Sequence, residues 1–301
     1  MPRLLCLQIA TLAMTLAWAW KPTPFQSKAI YLPALAYFLL LSASAFWAPV
    51  PFRSTDHLSK HITFFCFFVV LSHTLSPRQI PAILRASALA GATIACLGIF
   101  EYHALLPHFI PSTGRPSSTF MFRNLAAHYL VTNLPLAGLL FLVSRTVQDR
   151  LVGSLSSVLM FIFLLYIRGR GAWVGLLGAT LLVLGLWVVM NRRSFFTAIR
   201  TTFDRTALKF AAVSLLIIVL LGLLPEGFQE SHGQRFDEKK GDIPSALTSI
   251  FTEGGDRGRT AMWLTTLEMI QDDPFLGVGL GNWELIYPAY DRGTTVGVEN
   301  L

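Results

Sequence analysis

The sequence predicts an all-α polytopic membrane protein, a bundle of about eight transmembrane helices followed by a partly helical segment outside the membrane. Hydrophobic residues make up 53% of the 301 residues and charged residues only 14%, with a mean hydropathy of +0.55. Soluble domains carry about 25% charged residues. Apolar runs of about 20 residues, the length that crosses a bilayer, recur along residues 1–225.

The charge of the chain divides it into two regions. Residues 1–225 hold 18 of the 24 Lys and Arg residues and four acidic residues, a net charge of +14, whereas residues 226–301 hold six basic and 13 acidic residues, a net charge of −7. We therefore predict a transmembrane helix bundle over 1–225 and a loop region over 226–301. Because the basic residues lie at the ends of apolar runs, the positive balance indicates a lipid bilayer as partner and no nucleic acid.

Eight runs are apolar enough to be predicted as spans. They are residues 3–20, 29–50, 61–75, 82–100, 120–143, 151–167, 171–190 and 210–225. The first run has a second interpretation as a signal peptide, since Arg3 precedes it and Ala17-Trp18-Ala19 resembles a cleavage site. Its length and the span that follows almost at once favour a retained helix. Arg85 lies near one end of its run and can extend to the membrane surface.

The distribution of Lys and Arg predicts the orientation of the spans. Residues 191–209 carry five basic residues and one acidic residue, which indicates a cytoplasmic loop. Alternation then places 21–28, 76–81 and 144–150 inside and 51–60, 101–119, 168–170 and 226–301 outside. In a bacterial inner (cytoplasmic) membrane, the outside segments lie in the periplasm.

Arg168 and Arg170 are the most informative charges, because "YIRGRGAWVGLL" (166–177) places them between two apolar runs. An arginine at the centre of a span costs about 2.5–3.5 kcal/mol, and an intramembrane ionisable group indicates function by default. One interpretation is that both arginines await an anionic ligand at the outer boundary. The other is a tight hairpin whose arginines extend to lipid headgroups.

The fifth run also carries polar residues, namely Arg123 near its outer end, Asn124 and His128. Asn124 and His128 are four residues apart and share a helical face. Polar groups within a span usually face the bundle interior, so these side chains either line a substrate cavity or form hydrogen bonds between helices.

The acidic region predicts a helix and a turn. "RTAMWLTTLEMIQ" (259–271) repeats apolar residues at helical spacing, and Asp272, Asp273 and Pro274 end it. We expect this amphipathic helix to pack on the bundle or the membrane surface. "GVGLGN" (277–282) is not a dinucleotide fingerprint, because Asn282 stands where the third glycine belongs. Its glycines instead favour a tight turn near another surface.

The cysteines and histidines show no metal-site spacing. Cys6, Cys66 and Cys96 lie in apolar runs, which indicates small buried hydrophobes rather than disulfides or metal ligands. Five histidines in the first 110 residues are scattered in the same way.

Three motifs taken in order resemble the O-antigen ligase and polymerase superfamily. They are "STFMFRNLAAHYLVTNLPL" (118–136), "GRGAW" (169–173) at the start of a span, and "RTAMW" followed by "DDPFLGVGLGNW" (259–263 and 272–283). Family members commonly read S-R-G-A/T at the second motif, and R-x-x-x-W and D-x-P-x-x-G-x-G at the third. The resemblance covers roughly residues 60–290.

The resemblance implies a membrane glycosyltransferase that uses a glycan on undecaprenyl diphosphate. The acceptor is the lipid A core in ligases, another glycan in polymerases, or a protein hydroxyl in protein O-oligosaccharyltransferases. By motif, Arg170 and Arg259 are the expected catalytic residues. The expected substrate-binding residues are Arg168, Arg123, Asn124, His128 and Arg257. Arg257 alternatively is an exposed turn arginine. The family uses no metal, so we expect no cofactor.

The sequence departs from the family pattern in three ways. The family usually has another span at the front and a cytoplasmic amino terminus, whereas the alternation of spans places this amino terminus outside. The chain stops at Leu301 before the family's histidine motif, so we expect a C-terminally truncated member with little or no activity. Arg168 also replaces a Ser or Thr common beside the motif's glycine. The alternatives are a transporter or flippase, which the lack of internal repeats disfavours, and a non-catalytic remnant.

Overall fold

The computed structural model describes residues 2–20, 31–103, 105, 116–144, 146–190, five positions between 209 and 217, and 259–291. These residues are helical with short connections and include no strand, so the predicted all-α class is confirmed. The helices are α1 (Pro2–Trp20), α2 (Tyr31–Ser44), α3 (Pro51–Thr74), α4 (Ile80–Tyr102), α5 (Arg123–Val143), α6 (Val147–Ile167), α7 (Arg170–Met190), α8 (Arg259–Asp272) and α9 (Trp283–Tyr290). A 3-10 turn, Pro77–Gln79, precedes α4.

The chain forms two compact units. The split unit combines Met1–Pro77 with Gly254–Leu301, and the central unit is Arg78–Glu253. The split unit thus joins the first three helices to the last two. The predicted boundary between 225 and 226 lies outside the described residues, so that division of the chain stays a prediction.

Three helices, α4, α5 and α6, build the core of the central unit, with α5 antiparallel to α4 and α6. Small residues let the helices approach closely, as is common between membrane helices. A side chain on Gly98 would collide with the ring of Phe163, which is fully buried. A Cβ on Gly153 would lie 2.8 Å from the carbonyl oxygen of Ala137.

The same three segments are long and apolar enough to cross a membrane: Pro77–Tyr102, Arg123–Val143 and Val147–Ile167. They coincide with the predicted spans at 82–100, 120–143 and 151–167. Shorter apolar helices occur at Leu5–Trp20, Tyr31–Ser44 and Arg170–Leu182, within three other predicted runs. The run at 61–75 forms the second half of α3, and most of 210–225 lies outside the described residues. Three spans are therefore supported, and the total of about eight is not confirmed.

Polar contacts join the helices at the opposite end of the central unit from Arg168. The Nε of Arg85 lies 2.6 Å from Oδ1 of Asp149, whose side chain is buried, and the Thr146 hydroxyl donates to Oδ2 of Asp149 at 2.8 Å. Arg85 therefore has a protein partner at its end of the span. Midway along the bundle, Ser87 donates to Oδ1 of Asn133 at 2.6 Å.

In the split unit, α1 and α2 pack on α3, and α8 packs on α9. The helix predicted at 259–271 is confirmed as α8. Within this unit its buried residues are Thr265 and Met269. The predicted apolar stripe, which includes Trp263, Leu267 and Ile270, is exposed. The surface that the stripe covers stays a prediction.

Candidate functional site

A left-handed residue turns the chain sharply between α6 and α7. Arg168 has a φ of 55° and a ψ of 36°, and its N–H donates to the carbonyl of Leu165 at 3.0 Å. The N–H of Arg170 then donates to the carbonyl of Arg168 at 3.1 Å. A residue with a side chain costs about 1–2 kcal/mol in this conformation. This unfavourable conformation occurs at the turn that places Arg168 at the end of α6 and Arg170 at the start of α7.

The side chain of Arg168 lies in an aromatic corner between α4 and α6. It is 8% exposed, and its Nη2 lies 3.5 Å from the hydroxyl of Tyr102. The rings of Tyr102 and Tyr166 stack with centroids 4.0 Å apart. Nε2 of His103 lies 3.4 Å from the Tyr166 hydroxyl. The guanidinium is thus packed among protein groups, and its predicted role in substrate binding stays a prediction.

Arg170 is the first residue of α7 and is half-buried. A hydrogen bond holds this helix end in place, because the indole of Trp173 donates to the carbonyl of Leu164 at 3.0 Å. Gly169 lies close to α5, since a Cβ built on it would be 3.5 Å from the Ala127 methyl group. The "GRGAW" motif therefore fits the start of α7 against α5 and α6.

Arg123 is the first residue of α5 and is half-buried. Because α5 and α7 run in the same direction and α6 returns between them, Arg123, Arg168 and Arg170 lie at one end of the central unit. We call this the arginine end. Helix N-termini also carry partial positive charge, so the beginnings of α5 and α7 add to the attraction for an anion.

Sequence reasoning did not identify Glu101, which shapes the arginine end. Its Oε2 accepts hydrogen bonds from the N–H groups of Ser117 at 3.0 Å and Ser118 at 2.6 Å. Ser118 is also left-handed, with a φ of 56°, and its hydroxyl donates to the carbonyl of Ile94. These bonds fix the chain just before Arg123. The available signal was one acidic residue at the outer end of an otherwise apolar run.

Asn124 and His128 lie on an exposed part of α5 rather than in the core of the central unit. The interhelical alternative is seen instead at Asn133, which is bonded to Ser87. A substrate-binding role for Asn124 and His128 stays a prediction.

The glycine-rich part of the third motif forms a tight turn in the split unit, residues 277–282, which we call the glycine loop. Gly277, Gly279 and Gly281 have φ values of 59°, 78° and 74°, a region that favours glycine. A Cβ on Gly279 would lie 2.7 Å from the Ala48 methyl group, and one on Gly281 would lie 2.6 Å from Cδ2 of His57. The prediction of a tight turn near another surface is confirmed.

That surface is the connection between α2 and α3, residues 44–54, which we call the α2–α3 corner. The N–H of Leu280 donates to the Ser44 hydroxyl at 3.2 Å, and the Ser54 hydroxyl donates to the Leu280 carbonyl at 2.7 Å. The indole of Trp47 donates to the Leu276 carbonyl at 2.9 Å. Main-chain groups of the loop are therefore bonded along the corner.

Asn282 completes the contact and is fully buried. Its Oδ1 accepts from the N–H of Val50 at 3.0 Å, and its Nδ2 donates to the Ser54 hydroxyl at 3.1 Å and to the Leu280 carbonyl at 3.0 Å. Nearby, Arg53 and Glu284 form an exposed ion pair at 3.6 Å, which contributes little.

The remaining predicted site residues lie in the split unit. Arg259 opens α8, and Arg257 lies outside the described residues. Since Arg170 belongs to the central unit and Arg259 to the split unit, their joint action stays a prediction. Among the residues that the structure describes, no group of three or more His, Cys, Asp or Glu side chains is arranged to hold a metal ion. Metal independence also stays a prediction.

Among the described residues, three apolar helices are long enough to cross a membrane, which indicates a helical membrane protein, and its central unit has a cationic end. The family model described as O-antigen ligase matches residues 155–299, which include both arginine motifs. This match, which covers just under half of the chain, supports membership of the O-antigen ligase superfamily, as the motifs predict. This family consists of membrane proteins of the glycosyltransferase type that act on lipid-linked glycans. No curated protein and no solved structure matches the chain.

Proposed function

We propose that this protein is an O-antigen ligase that transfers a glycan from undecaprenyl diphosphate to the lipid A core at the periplasmic face of a bacterial inner membrane. The observation that carries the proposal is the family match over 155–299, since the matched residues include Arg170 and Arg259, the two catalytic arginines that the motifs predict. Residues 226–301 are then the periplasmic segment.

The arginine end supplies the chemistry that this reaction needs. When the glycosidic bond to the diphosphate breaks, negative charge develops on the leaving pyrophosphate. An arginine binds phosphate oxygens with two parallel hydrogen bonds and stays charged even where water is scarce. Donors fixed in advance at such a charge often contribute the largest catalytic effect. Arg170 and Arg259 stabilise the departing diphosphate without a metal ion, and Arg168 and Arg123 maintain the positive potential around it.

The contacts within each unit support the proposed topology. The glycine loop belongs to the segment assigned outside, and it is bonded to the α2–α3 corner, which overlaps the segment 51–60 that is also assigned outside. In the central unit, Arg85 and Asp149 lie near the two loops assigned inside, and they pair with each other. Segments assigned to one side of the membrane therefore contact segments assigned to the same side.

Donor binding tests the proposal without depending on turnover. The purified chain in lipid nanodiscs is titrated with undecaprenyl diphosphate and binding is followed by native mass spectrometry. Replacing Arg170 or Arg259 by Ala should weaken binding about 10- to 100-fold, the value of lost charge-assisted hydrogen bonds. Arg78→Ala is the matched control, because Arg78 is exposed on the 3-10 turn away from the arginine end. Equal affinity in all four proteins would refute the diphosphate role.

Acceptor identity is tested in cells. A strain without its own O-antigen ligase receives the chain, and lipopolysaccharide is separated on a gel. A restored ladder that disappears with Arg170→Ala supports the lipid A core as acceptor. If the chain restores no ladder but transfers glycan in a glycan-polymerising or protein-glycosylating assay, the lipid A core assignment fails.

A further inference from the structure

We propose that Asn282 is a positioning residue, which locks the glycine loop onto the α2–α3 corner and thereby fixes α8, the helix that Arg259 opens. The inference deepens the proposed function and depends on it only where Arg259 is said to bind the donor. The lock itself depends on contacts within the split unit.

The Asn282 side chain does not cap its own helix. Asn282 is the N-cap residue of α9, and Asn is favoured there because its side-chain oxygen accepts from the first free N–H groups of the helix. Here the side chain makes no such bond. Its oxygen instead accepts from Val50, which is the N-cap residue of α3. The side chain is therefore committed to the corner rather than to its own helix.

The hydrogen-bond network around Asn282 is complete. Asn282 uses its carbonyl oxygen and both donors of its amide group, on Val50, Ser54 and Leu280. Ser54 is fully buried and also donates to the Leu280 carbonyl at 2.7 Å. A buried network whose members are satisfied specifies one arrangement, and truncating one member leaves the others without partners. Asp lacks the amide donors and the Gln side chain is one methylene longer, so neither residue can form the same set of hydrogen bonds.

The position of the glycine loop determines the position of α8. Only residues 273–276 separate α8 from the glycine loop, and α9 follows Asn282 at once. The Trp283 indole donates to the Thr266 hydroxyl at 3.3 Å, and the Tyr290 hydroxyl donates to Oδ2 of Asp272 at 2.8 Å. The helices on either side of the loop are thus bonded to each other. Fixing Asn282 fixes the pair.

The position of α8 is measured with two spin labels in the full chain in nanodiscs. Cysteines replace Thr55 on α3 and Leu264 on α8, both exposed, and Cys6, Cys66 and Cys96 are replaced by Ser. Pulsed electron spin resonance then gives the distance distribution between the labels. The wild-type loop should give one narrow distance. Asn282→Ala should broaden it, and Asn282→Asp, which keeps the oxygen but loses the amide donor, should broaden it less.

Glu284→Gln is the matched control, since it lies two residues away and removes only the exposed ion pair to Arg53. It should leave the distance unchanged. If Asn282→Ala fails to fold, the distance distribution of the milder Asn282→Asp variant decides whether the lock exists. A narrow, unshifted distance in both Asn282 variants would overturn the lock.

Donor affinity shows whether the lock acts through Arg259. Asn282→Ala should weaken undecaprenyl diphosphate binding about tenfold, and it should add little when Arg259 is already Ala, because a displaced helix matters only through the arginine it carries. A broadened distance with unchanged affinity would overturn the positioning role. If the wild-type chain binds no diphosphate, the proposed function fails, whereas the distance measurement still decides the lock.

Discussion

The arginine end of the central unit gathers three cations and tolerates a left-handed arginine, whereas the glycine loop of the split unit is fixed by neutral hydrogen bonds and left-handed glycines. At Arg168 the backbone carries a cost of about 1–2 kcal/mol that glycine would avoid. At Gly277, Gly279 and Gly281 the residue is glycine, which adopts a left-handed conformation without that cost. Strain kept at a charged position indicates that the side chain is needed there, which is typical of functional sites.

The largest expected effect concerns the close packing of the glycine loop. Gly279→Ala should destabilise the split unit by about 2–4 kcal/mol, because it adds both a strained φ and an overlap with Ala48. Gly277→Ala is the matched control, with a similar φ and open space around it, and should cost about 1 kcal/mol. Hydrogen exchange of α8 and α9 measures both. Equal costs would show that the loop does not pack on the corner.

A smaller effect is expected at the ion pair of the central unit. Asp149→Asn removes the charge of a buried carboxylate that is bonded to Arg85 and Thr146, and should lower the free energy of unfolding by about 1–3 kcal/mol. Glu284→Gln breaks an exposed pair of the same type in the split unit and should cost less than about 1 kcal/mol. Thermal unfolding in detergent compares the two variants. If Glu284→Gln costs more, burial does not control the strength of these pairs.

At Arg168 the backbone and the side chain make separate contributions. Arg168→Gly should be more stable than Arg168→Ala by about 1 kcal/mol, since glycine accepts the left-handed conformation without the cost that alanine has. Both variants lose the guanidinium and should bind undecaprenyl diphosphate equally. Unfolding and donor titration measure the two properties separately. An alanine variant as stable as the glycine variant would contradict the left-handed turn.

The smallest effect is a pH-dependent one at the exposed contact between α8 and α9. The hydrogen bond to Asp272, with the negative charge nearby, raises the pKa of Tyr290 above its usual value of about 10. A raised pKa means that the folded state favours the protonated phenol. Its stabilisation is therefore fully present below about pH 10 and is lost as the pH rises through the raised value. Tyr290→Phe should be slightly less stable at pH 8 and equal to wild type at higher pH, as thermal unfolding would show. A difference independent of pH would refute this contact.

Local pattern was sufficient for part of the fold. Runs of apolar residues predicted α4, α5 and α6, and helical spacing predicted α8 to within a residue. Positive φ values at three glycines follow from the spacing of "GVGLGN". In each case neighbouring residues contain the signal.

Contacts between distant residues were not predictable from one sequence. Val50 and Asn282 are 232 positions apart, and no local feature of either residue predicts that the other is its partner. No local pattern predicted that Glu101 accepts a hydrogen bond from the N–H of Ser118 or that Arg85 pairs with Asp149. The exposed stripe of α8 shows the same limit, because periodicity identifies an apolar face but not the surface that covers it.

The central claim is that Arg170 and Arg259 act on one diphosphate. The most direct test compares the affinities of the chain in nanodiscs for undecaprenyl diphosphate and undecaprenyl monophosphate. We expect the wild-type chain to prefer the diphosphate about tenfold or more, since two arginines have two phosphates to bind. Either Arg170→Ala or Arg259→Ala should remove that preference, and Arg78→Ala should keep it. A preference that survives in either variant would contradict the claim.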